Sequence, residues 1–383
     1  MRSISALLCL TLVNCGPDDG SPPADSTPED TLADVPDAAD TTDTVDPGDT
    51  LIRPEVDAAE VVQPLDAPPG VWTWFDQPGS ACSDGSETGF AVNPGTSDKV
   101  LVVMMGGGAC WDFNTCFVFA TAAKGPFRKA QFDAGAADAG VLDRDDVDNP
   151  FRDFSFVFVP YCTGDLHAGE RVMSYTEGGL TNTWHHMGAV NVRLMLPRLA
   201  ATFPSPELLV VAGLSAGGFG ATLQYAAFRA ALAPGASQLV DDSGPLLVGD
   251  AIPAAFRSAW FVNWRLDLVV DTICGQDCKS DLSAYYPHLA ARFPNDRMAL
   301  VSSLQDQVIA TYFLQTGPEL ETAIRKLATD VLAPLANWRT FLFAGSTHTT
   351  LASPEAFSSD GQDLRGWLAL MASGDPGWPS LGN

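Results

Sequence analysis

Six continuous runs of apolar residues recur along the chain from residue 71 onward, and helical patterns separate them. The runs are DKVLVVMMGGG (98–108), DFSFVFVPYC (153–162), ELLVVAGLS (207–215), SQLVDDSG (237–244), RMALVSSLQD (297–306) and WRTFLFAGSTH (338–348). Short apolar runs without alternation are typical of strands that are buried on both faces, as in a parallel sheet.

Stretches with apolar residues at helical spacing lie between these runs. They are MGAVNVRLMLPRLAATF (187–203), GGFGATLQYAAFRAALA (217–233) and LETAIRKLATDVLAPLANW (320–338). Pro197 lies inside the first stretch, and we expect it to bend or restart that helix. The alternation predicts an α/β domain over 71–383, with a mostly parallel central sheet and helices on both faces. Its functional site is expected at the carboxyl ends of the strands.

The first 70 residues have a different character. Residues 1–15, MRSISALLCLTLVNC, combine an early arginine, a short apolar run and a cysteine, which predicts an export signal. The leucine three residues before Cys15 favours a bacterial lipoprotein signal, with the lipid on this cysteine, although Asn14 departs from the usual small residue. An ordinary cleaved signal peptide is the alternative. Residues 16–70 contain fifteen acidic residues against one basic residue and no apolar period, which predicts a disordered linker.

Composition narrows the classes of function. The net charge of −26 argues against nucleic-acid binding, which requires clustered lysine and arginine. Apolar residues make up 46% of the chain, which is enough for a substantial core. Contact with a membrane is expected only through the lipid on Cys15, so the predicted location is the bacterial cell envelope, or the medium if the signal is simply cleaved.

Six cysteines follow the predicted signal. An even number in an exported domain favours disulfides over free thiols. Pairing Cys110 with Cys116 and Cys274 with Cys278 closes two short loops and leaves Cys82 for Cys162, which is the most economical of the many possible pairings. A zinc cluster is disfavoured because no second C-x2-C or histidine pair has the spacing of metal ligands, and we expect no cofactor.

The pentapeptide Gly213-Leu214-Ser215-Ala216-Gly217 lies between an apolar run and a helical pattern. In that context G-x-S-x-G predicts a sharp turn that exposes a nucleophilic serine, Ser215. A hydroxyl requires a base, and of the five histidines His348 follows the last strand in a loop with glycine and serine. His288 lies in a helical pattern that favours a structural or surface role. His185 and His186 precede a helix, where they either line a pocket or serve in capping and packing.

A carboxylate must orient that base. Asp306 follows a strand between Ser215 and His348, which gives the chain order serine, aspartate, histidine. We favour it over Asp241, Asp242 and Asp271, of which the first two follow the strand after the serine.

Acyl transfer also needs hydrogen-bond donors for the developing oxyanion. The run MMGGGACW ends the first strong strand with three glycines, whose N–H groups no side chain shields. We expect the N–H groups of Gly108, Ala109 and Ala216 to be these donors.

Five segments together resemble the pectin acetylesterase and Notum family, and they occur in the same order. They are CSDGSETGFAV (82–92), GGGACWDFNTC (106–116), PYCTGD (160–165), GLSAGG (213–218) and DDSG (241–244). The resemblance implies an α/β-hydrolase-like fold and a carboxylesterase with Ser215 as nucleophile, His348 as base, Asp306 as acid and no metal. It also supports a disulfide between Cys110 and Cys116. The family usually has tryptophan where this chain has Ala109, so the wall of the pocket is expected to differ.

The resemblance implies an ester as substrate and leaves its kind open. Members of the family remove acetyl groups from pectin or a long acyl group from a protein. We expect acetyl esters, with acetylated polysaccharide such as pectin as the acceptor. A long-chain acyl or polyester hydrolase and a non-catalytic surface-binding lipoprotein are the alternatives. Five aromatic residues near the motifs are candidates for stacking on sugars, lining an acyl pocket or packing in the core: Trp111, Phe113, Phe117, Phe119 and Trp184.

Overall fold

The structure is a computed structural model that describes residues 62–135, 137 and 139–382. The predicted signal at 1–15, with Cys15, and the predicted linker as far as residue 61 lie outside the described residues. The last nine residues assigned to the linker, 62–70, contain no helix or strand. Leu65 among them is buried in the core, and its N–H donates to Thr202 Oγ1 at 2.9 Å. The ordered fold therefore begins earlier than the charge pattern indicates.

The strands and helices alternate along most of the chain. The strands are β1 (Thr73–Asp76), β2 (Gly89–Asn93), β3 (Lys99–Met104), β4 (Ser155–Val159), β5 (Arg171–Glu177), β6 (Leu180–His186), β7 (Leu208–Leu214), β8 (Ala236–Asp242), β9 (Arg297–Ser303), β10 (Trp338–Phe343), β11 (Ser358–Ser359) and β12 (Gln362–Asp363). The α-helices are α1 (Lys129–Phe132), α2 (Gly188–Thr202), α3 (Ala216–Leu232), α4 (Ala254–Ala259), α5 (Asp267–Val270), α6 (Gln276–Ser280), α7 (Tyr285–Arg292), α8 (Gln307–Tyr312), α9 (Gly317–Lys326) and α10 (Leu364–Ala372). Short 3-10 and π-helical turns lie at Asn114–Val118, Gly140–Leu142, Gly249–Ala251, Trp260–Trp264, Leu282–Ala284, Leu327–Leu332 and Pro354–Ala356.

One large sheet organises the part of the chain that the structure describes. Eight strands there form it in the order β1-β2-β4-β3-β7-β8-β9-β10. The six strands from β4 to β10 in that order run parallel to one another, and they are the six apolar runs of the sequence. β2 is antiparallel to both β1 and β4. The predicted mostly parallel sheet is confirmed.

The core lies in two layers, one on each face of the sheet. Because successive side chains of a strand point to opposite faces, β3 divides its residues between the layers. Val100, Val102 and Met104 pack in the layer that includes α2 and α3, whereas Leu101 and Val103 pack in the layer that includes α10. The prediction of helices on both faces is also confirmed.

The helix α2 continues through Pro197 without a restart. A proline removes one N–H from the helix and leaves the carbonyl of the residue four positions earlier without its donor. That residue, Arg193, is exposed, so water can satisfy its carbonyl. Of the two expected outcomes, a bend or a restart, the restart is wrong for this reason.

Two smaller sheets lie outside the main one. β5 and β6 form an antiparallel hairpin, and β11 pairs with β12. Among the described residues, none of the helices combines the length and the apolar character that crossing a bilayer demands.

Candidate active site

Ser215 lies at the turn between β7 and α3, with φ of 58° and ψ of −123°. A residue with a side chain in this conformation is strained, and such strain is typical of serine turns at the carboxyl edge of a sheet. The N–H of Ser215 donates to the carbonyl oxygen of Asp242 at 2.8 Å, which ties the turn to the neighbouring strand β8. The serine is thereby fixed at the edge where the parallel strands end.

Two glycines allow this turn to close. A Cβ on Gly213 would collide with the carbonyl oxygen of Gly217, and a Cβ on Gly217 would collide with the carbonyl oxygen of Met104 in β3. The G-x-S-x-G spacing is therefore a packing requirement of the turn.

Asp306 and His348 are in direct contact beyond the ends of β9 and β10. Asp306 Oδ2 lies 2.8 Å from His348 Nδ1, and the aspartate is fully buried. Because a carboxylate can only accept from a neutral imidazole, Nδ1 carries the proton and Nε2 keeps its lone pair. The other carboxylate oxygen, Oδ1, accepts the N–H groups of Val308 and Ile309 at 2.9 and 3.1 Å. Asp306 thus caps α8 and orients the histidine at the same time.

Ser215 and His348 both line one wide cleft at this edge. The cleft has a volume of about 650 Å³ and also includes the glycine loop Gly106–Gly108. The three residues predicted as nucleophile, base and acid are brought to one end of the sheet, with the acid buried behind the base.

The rival acid Asp242 makes hydrogen bonds to backbone groups after His348 and interacts with this histidine electrostatically. Its Oδ2 accepts the N–H groups of Thr350 and Leu351 at 2.6 and 2.9 Å. Burial, the largest cause, raises the pKa of Asp242 to about 6. Asp242 therefore joins the serine turn, through its carbonyl, to the segment that follows His348.

The other two rivals lie elsewhere. Asp241 is fully buried and accepts the hydroxyl of Thr222 at 3.0 Å, and burial raises its pKa to about 7. Asp271 is at the surface and pairs with Lys279 at 3.0 Å.

The glycine loop has a backbone conformation that glycine adopts readily and other residues do not. Gly107 and Gly108 have φ of 154° and 74°, and a Cβ on Gly108 would collide with the carbonyl oxygen of Thr121. Ala216 is the first residue of α3, so its N–H has no acceptor inside the helix. The three predicted donors lie in the loop after β3, at residues 108 and 109, and at the first residue of α3, residue 216, and all three line the same cavity as Ser215.

Two buried side chains that sequence reasoning missed support the glycine loop. Tyr161 donates its hydroxyl to the carbonyl oxygen of Gly108 at 2.9 Å. His167 lies 2.9 Å from the carbonyl oxygen of Met105 through Nε2, which must therefore carry the proton. Burial lowers the pKa of His167 to about 4, so the ring is neutral at pH 7. Both belong to the stretch PYCTGDLH (160–167), in which only Cys162 has a predicted role.

Tyr312, at the end of α8, is a third residue that sequence reasoning missed. Its hydroxyl donates to the carbonyl oxygen of Thr121 and lies 3.4 Å from the N–H nitrogen of Ala109. No motif indicates this contact, because Tyr312 and Ala109 are 203 positions apart in the chain.

The remaining histidines, His185, His186 and His288, do not line the cleft or the cavity beside Ser215. His186 receives the hydroxyl of Tyr175 on Nε2 at 2.9 Å and donates from Nδ1 to the carbonyl oxygen of Thr163 at 3.1 Å. Burial lowers its pKa to about 3. His185 precedes it in β6, and His288 lies on α7, where it contacts Asp277 at 2.9 Å.

A small apolar cavity opens beside Ser215, separate from the wide cleft. Its volume is about 30 Å³, and its walls include Trp111, Phe219, Trp260 and Phe313. One water molecule requires roughly 10–15 Å³ on the same measure, so the cavity admits a group of a few atoms. Of the five candidate aromatics, Trp111 lines this cavity.

The other four aromatics lie in the region of the Cys110–Cys116 loop. Phe113 packs on Phe117 with ring centroids 5.4 Å apart, and Phe117 meets the buried ring of Trp184 at 5.5 Å. Phe119 is 71% exposed.

The six cysteines form three disulfides in the described residues, and the pairs are those that loop closure favours. They are Cys82–Cys162, Cys110–Cys116 and Cys274–Cys278. Cys110, Cys116 and His186 offer ligand atoms within 4.8 Å of one another, but the two sulfurs are bonded together and supply no thiolate.

Comparison with known proteins gives a family match over most of the ordered fold. The model of the family described as Pectinacetylesterase matches residues 72–303. The planarian Schmidtea mediterranea has a palmitoleoyl-protein carboxylesterase NOTUM that is 28% identical over 148 residues. The frog Xenopus laevis has a palmitoleoyl-protein carboxylesterase notum1' that is 24% identical over 193 residues.

These alignments are partial. They cover 37% and 49% of this chain and only 27% and 36% of the planarian and frog proteins. A solved structure of the Drosophila Wnt deacylase Notum superposes with a TM-score of 0.58 at 19% identity. That superposition covers 79% of this chain and 93% of the fly chain, and it shows that the α/β-hydrolase-like fold is shared.

Proposed function

Because the chain belongs to the pectinacetylesterase family, we propose that it is a serine carboxylesterase that hydrolyses O-acyl esters through an acyl-enzyme. Ser215 is the nucleophile, His348 the general base and acid, and Asp306 the carboxylate that orients His348. The contact between Asp306 Oδ2 and His348 Nδ1 carries the proposal, since it occurs at the sheet edge that also presents the strained serine.

The reaction divides into two acyl transfers. Ser215 Oγ attacks the ester carbonyl while His348 Nε2 takes its proton, and the oxyanion accepts N–H groups of Gly108, Ala109 and Ala216. The tetrahedral intermediate collapses, the ester C–O bond breaks, and the imidazolium gives its proton to the leaving alcohol. Water then attacks the acyl-serine with the same base, which releases the carboxylic acid and restores the serine.

The size of the apolar cavity favours a short acyl group. A volume of about 30 Å³ beside Ser215 has room for the methyl of an acetyl group and none for a fatty chain. The wide cleft on the other side of the serine suits a bulky alcohol such as an acetylated polysaccharide, for which pectin is the candidate the family name supplies.

A long acyl group is the second candidate. Palmitoleoyl-protein carboxylesterases are among the relatives, and their names describe cleavage of such a chain. A panel of p-nitrophenyl acetate, octanoate and palmitate distinguishes the two candidates, and a preference for palmitate would overturn the acetyl proposal.

The proposed site of action is outside the cytoplasm. Disulfides persist in oxidising compartments, and residues 1–15 have the pattern of an export signal. We place the protein in the bacterial envelope through a lipid on Cys15. Mass spectrometry of the exported protein distinguishes a lipidated Cys15 from a free secreted product.

The substitution Ser215→Ala tests the nucleophile. It removes the attacking oxygen, so we expect kcat for p-nitrophenyl acetate to fall by roughly 10⁴-fold or more, with the circular dichroism spectrum unchanged. Ser280→Ala, at an exposed serine of α6, is the matched control and should keep the wild-type rate. Wild-type turnover by Ser215→Ala would remove Ser215 from the mechanism. Failure of a fluorophosphonate probe to label Ser215 in the wild type, with no turnover of p-nitrophenyl acetate, would instead support a non-catalytic binding protein.

A further inference from the structure

We propose that Tyr312 determines the acyl-chain length the site accepts and that its hydroxyl positions the oxyanion loop. This inference rests on the proposed esterase function and concerns the same serine. It assigns two separable tasks to one side chain, the first to the ring and the second to the hydroxyl.

The ring of Tyr312 lies between two spaces that both reach Ser215. The small apolar cavity and the wide cleft have three residues in common, which are Gly108, Ser215 and Tyr312. Gly108 has no side chain and Ser215 is the nucleophile, so the tyrosine ring is the substantial side chain that separates the spaces. Tyr312 is half-buried, as expected of a wall with the cavity on one side and the open cleft on the other.

The other walls of the cavity are braced against one another. The ring of Phe313 meets that of Phe219 edge-on, with centroids 6.3 Å apart, and it lies 6.4 Å from the ring of Trp260. Trp260 stacks on Trp264 at 5.0 Å. A longer acyl chain cannot displace these packed rings cheaply. Removal of the Tyr312 side chain alone would therefore open the cavity towards the wide cleft.

The hydroxyl of Tyr312 makes contact with the oxyanion loop. It has a single hydrogen, which goes to the carbonyl oxygen of Thr121, so its lone pairs face the N–H of Ala109 at 3.4 Å. Burial raises the pKa of Tyr312, so the hydroxyl remains a donor at neutral pH. A distance of 3.4 Å is long for a hydrogen bond. The N–H of Ala109 can therefore exchange the Tyr312 hydroxyl for an oxyanion as its acceptor at little cost in free energy.

Tyr312 approaches the backbone of the loop closely at Gly108. A Cβ at Gly108 would collide with the Tyr312 hydroxyl as well as with the carbonyl oxygen of Thr121. Thr121 in turn donates its own hydroxyl to the carbonyl oxygen of Ala109 at 2.7 Å. Tyr312 and Thr121 together hold Ala109, the first at its N–H and the second at its carbonyl oxygen, which makes Tyr312 a positioning residue for the oxyanion hole.

The two tasks predict different results for two substitutions. Tyr312→Phe keeps the ring and removes the hydroxyl, so kcat for p-nitrophenyl acetate should fall about 10-fold, within the cost of weakening one oxyanion donor. Its KM and its ratio of activity on acetate to hexanoate should stay at the wild-type values. Tyr312→Ala removes the wall, so kcat/KM for p-nitrophenyl hexanoate relative to acetate should rise by at least ~10-fold, the selectivity typical of one methylene in an apolar pocket.

Controls separate this inference from the proposed function. Leu314→Ala, at a leucine that is 77% exposed two residues beyond, should change neither kcat nor the chain-length ratio. Tyr312→Leu is the alternative if the alanine variant does not fold, and it should raise the ratio by a smaller factor. If the wild type is active on acetate and the hexanoate-to-acetate ratio is unchanged in folded Tyr312→Ala or Tyr312→Leu, Tyr312 does not limit the acyl length. An unchanged kcat in Tyr312→Phe would show that the hydroxyl does not position the oxyanion loop. A wild type that is inactive on the whole ester panel refutes the esterase function first and this inference with it.

Discussion

Asp241 and Asp242 are adjacent residues at the end of β8, but their side chains have different hydrogen-bond partners. Asp242 is fully buried and accepts two N–H groups of the segment after His348, so its charge is supported by donors. Asp241 accepts one hydroxyl in an interior that raises its pKa to about 7. A buried carboxyl with a raised pKa favours the folded state only while it is protonated.

The substitution Asp241→Asn should make stability less dependent on pH. The pKa of Asp241 is raised in the folded protein from 3.8 to about 7. Its stabilising contribution is therefore complete below pH 4 and is lost as the pH rises towards 7, at about 1.4 kcal/mol for each unit. Asparagine does not titrate, so the variant should gain free energy of unfolding relative to wild type as the pH rises from 4.5 to 8.

Urea denaturation at pH 4.5, 6 and 8 measures this gain. Asp98→Asn, at an exposed aspartate, is the control and should differ from wild type by the same amount at every pH. A constant difference for Asp241→Asn over the same range would contradict the prediction.

At the scale of elements, α8 begins at the residue that orients the base. Asp306 uses one carboxylate oxygen for the first N–H groups of α8 and the other for His348. Asparagine is as good a helix cap as aspartate, whereas alanine does not cap. The capping of α8 and the proposed catalytic role of Asp306 can therefore be separated by substitution.

Both Asp306→Asn and Asp306→Ala should lower kcat by roughly 10³–10⁴-fold, because neither stabilises the imidazolium of His348. Asp306→Ala should also lose about 1–2 kcal/mol of stability relative to Asp306→Asn through the missing cap. Thermal unfolding of the two variants side by side measures this difference. Equal melting temperatures would show that the cap contributes nothing, and retention of kcat in either variant would remove Asp306 from the mechanism.

The sequence predicts the buried strands that form long apolar runs and misses the strands that do not. β2 is buried at every residue, but only three apolar residues lie between Gly89 and Asn93, so it is missed as well. Every residue of β4 is buried, and so is every residue of β3 after its first, so their apolar runs are visible in the sequence. β5 and β6 are mostly exposed, with one or two buried residues each, so no run or alternation indicates them. β1 has four residues and no fully buried one, which is too short and too mixed to detect.

The same distinction applies to the candidate site. Ser215, Asp306 and His348 follow apolar runs, and the parallel sheet brings such positions to one edge. Tyr161, His167 and Tyr312 act through contacts to backbone groups that lie far away in the sequence. Nothing in a local pattern encodes a contact of that kind, so sequence reasoning could not identify these residues.

At the scale of the whole molecule, three disulfides in the described residues close loops of very different length. Cys82–Cys162 joins residues 80 positions apart and ties the segment before β2 to the end of β4, whereas Cys274–Cys278 spans 4 positions. In the chain-entropy view, the longer loop restricts the unfolded chain more.

Removing the long disulfide should therefore cost more stability than removing the short one. Loop entropy gives about 4.5 kcal/mol for Cys82→Ala with Cys162→Ala, and about 2 kcal/mol for Cys274→Ala with Cys278→Ala. Guanidinium unfolding of the two double variants measures both costs against wild type. An equal or reversed order would mean that native-state packing around the cysteines outweighs chain entropy.

Asp306 and Tyr312 lie at opposite ends of a single stretch of seven residues. If the orientation of His348 and the preference for acyl length both depend on this stretch, a change in the backbone of the stretch affects both properties together. Transplanting acyl preference between two esterases of this fold then calls for exchange of the unbroken segment 306–312 together, rather than a scatter of point substitutions. Because the proposed catalytic acid and the proposed acyl wall belong to one short segment, substrate preference should transfer with that segment.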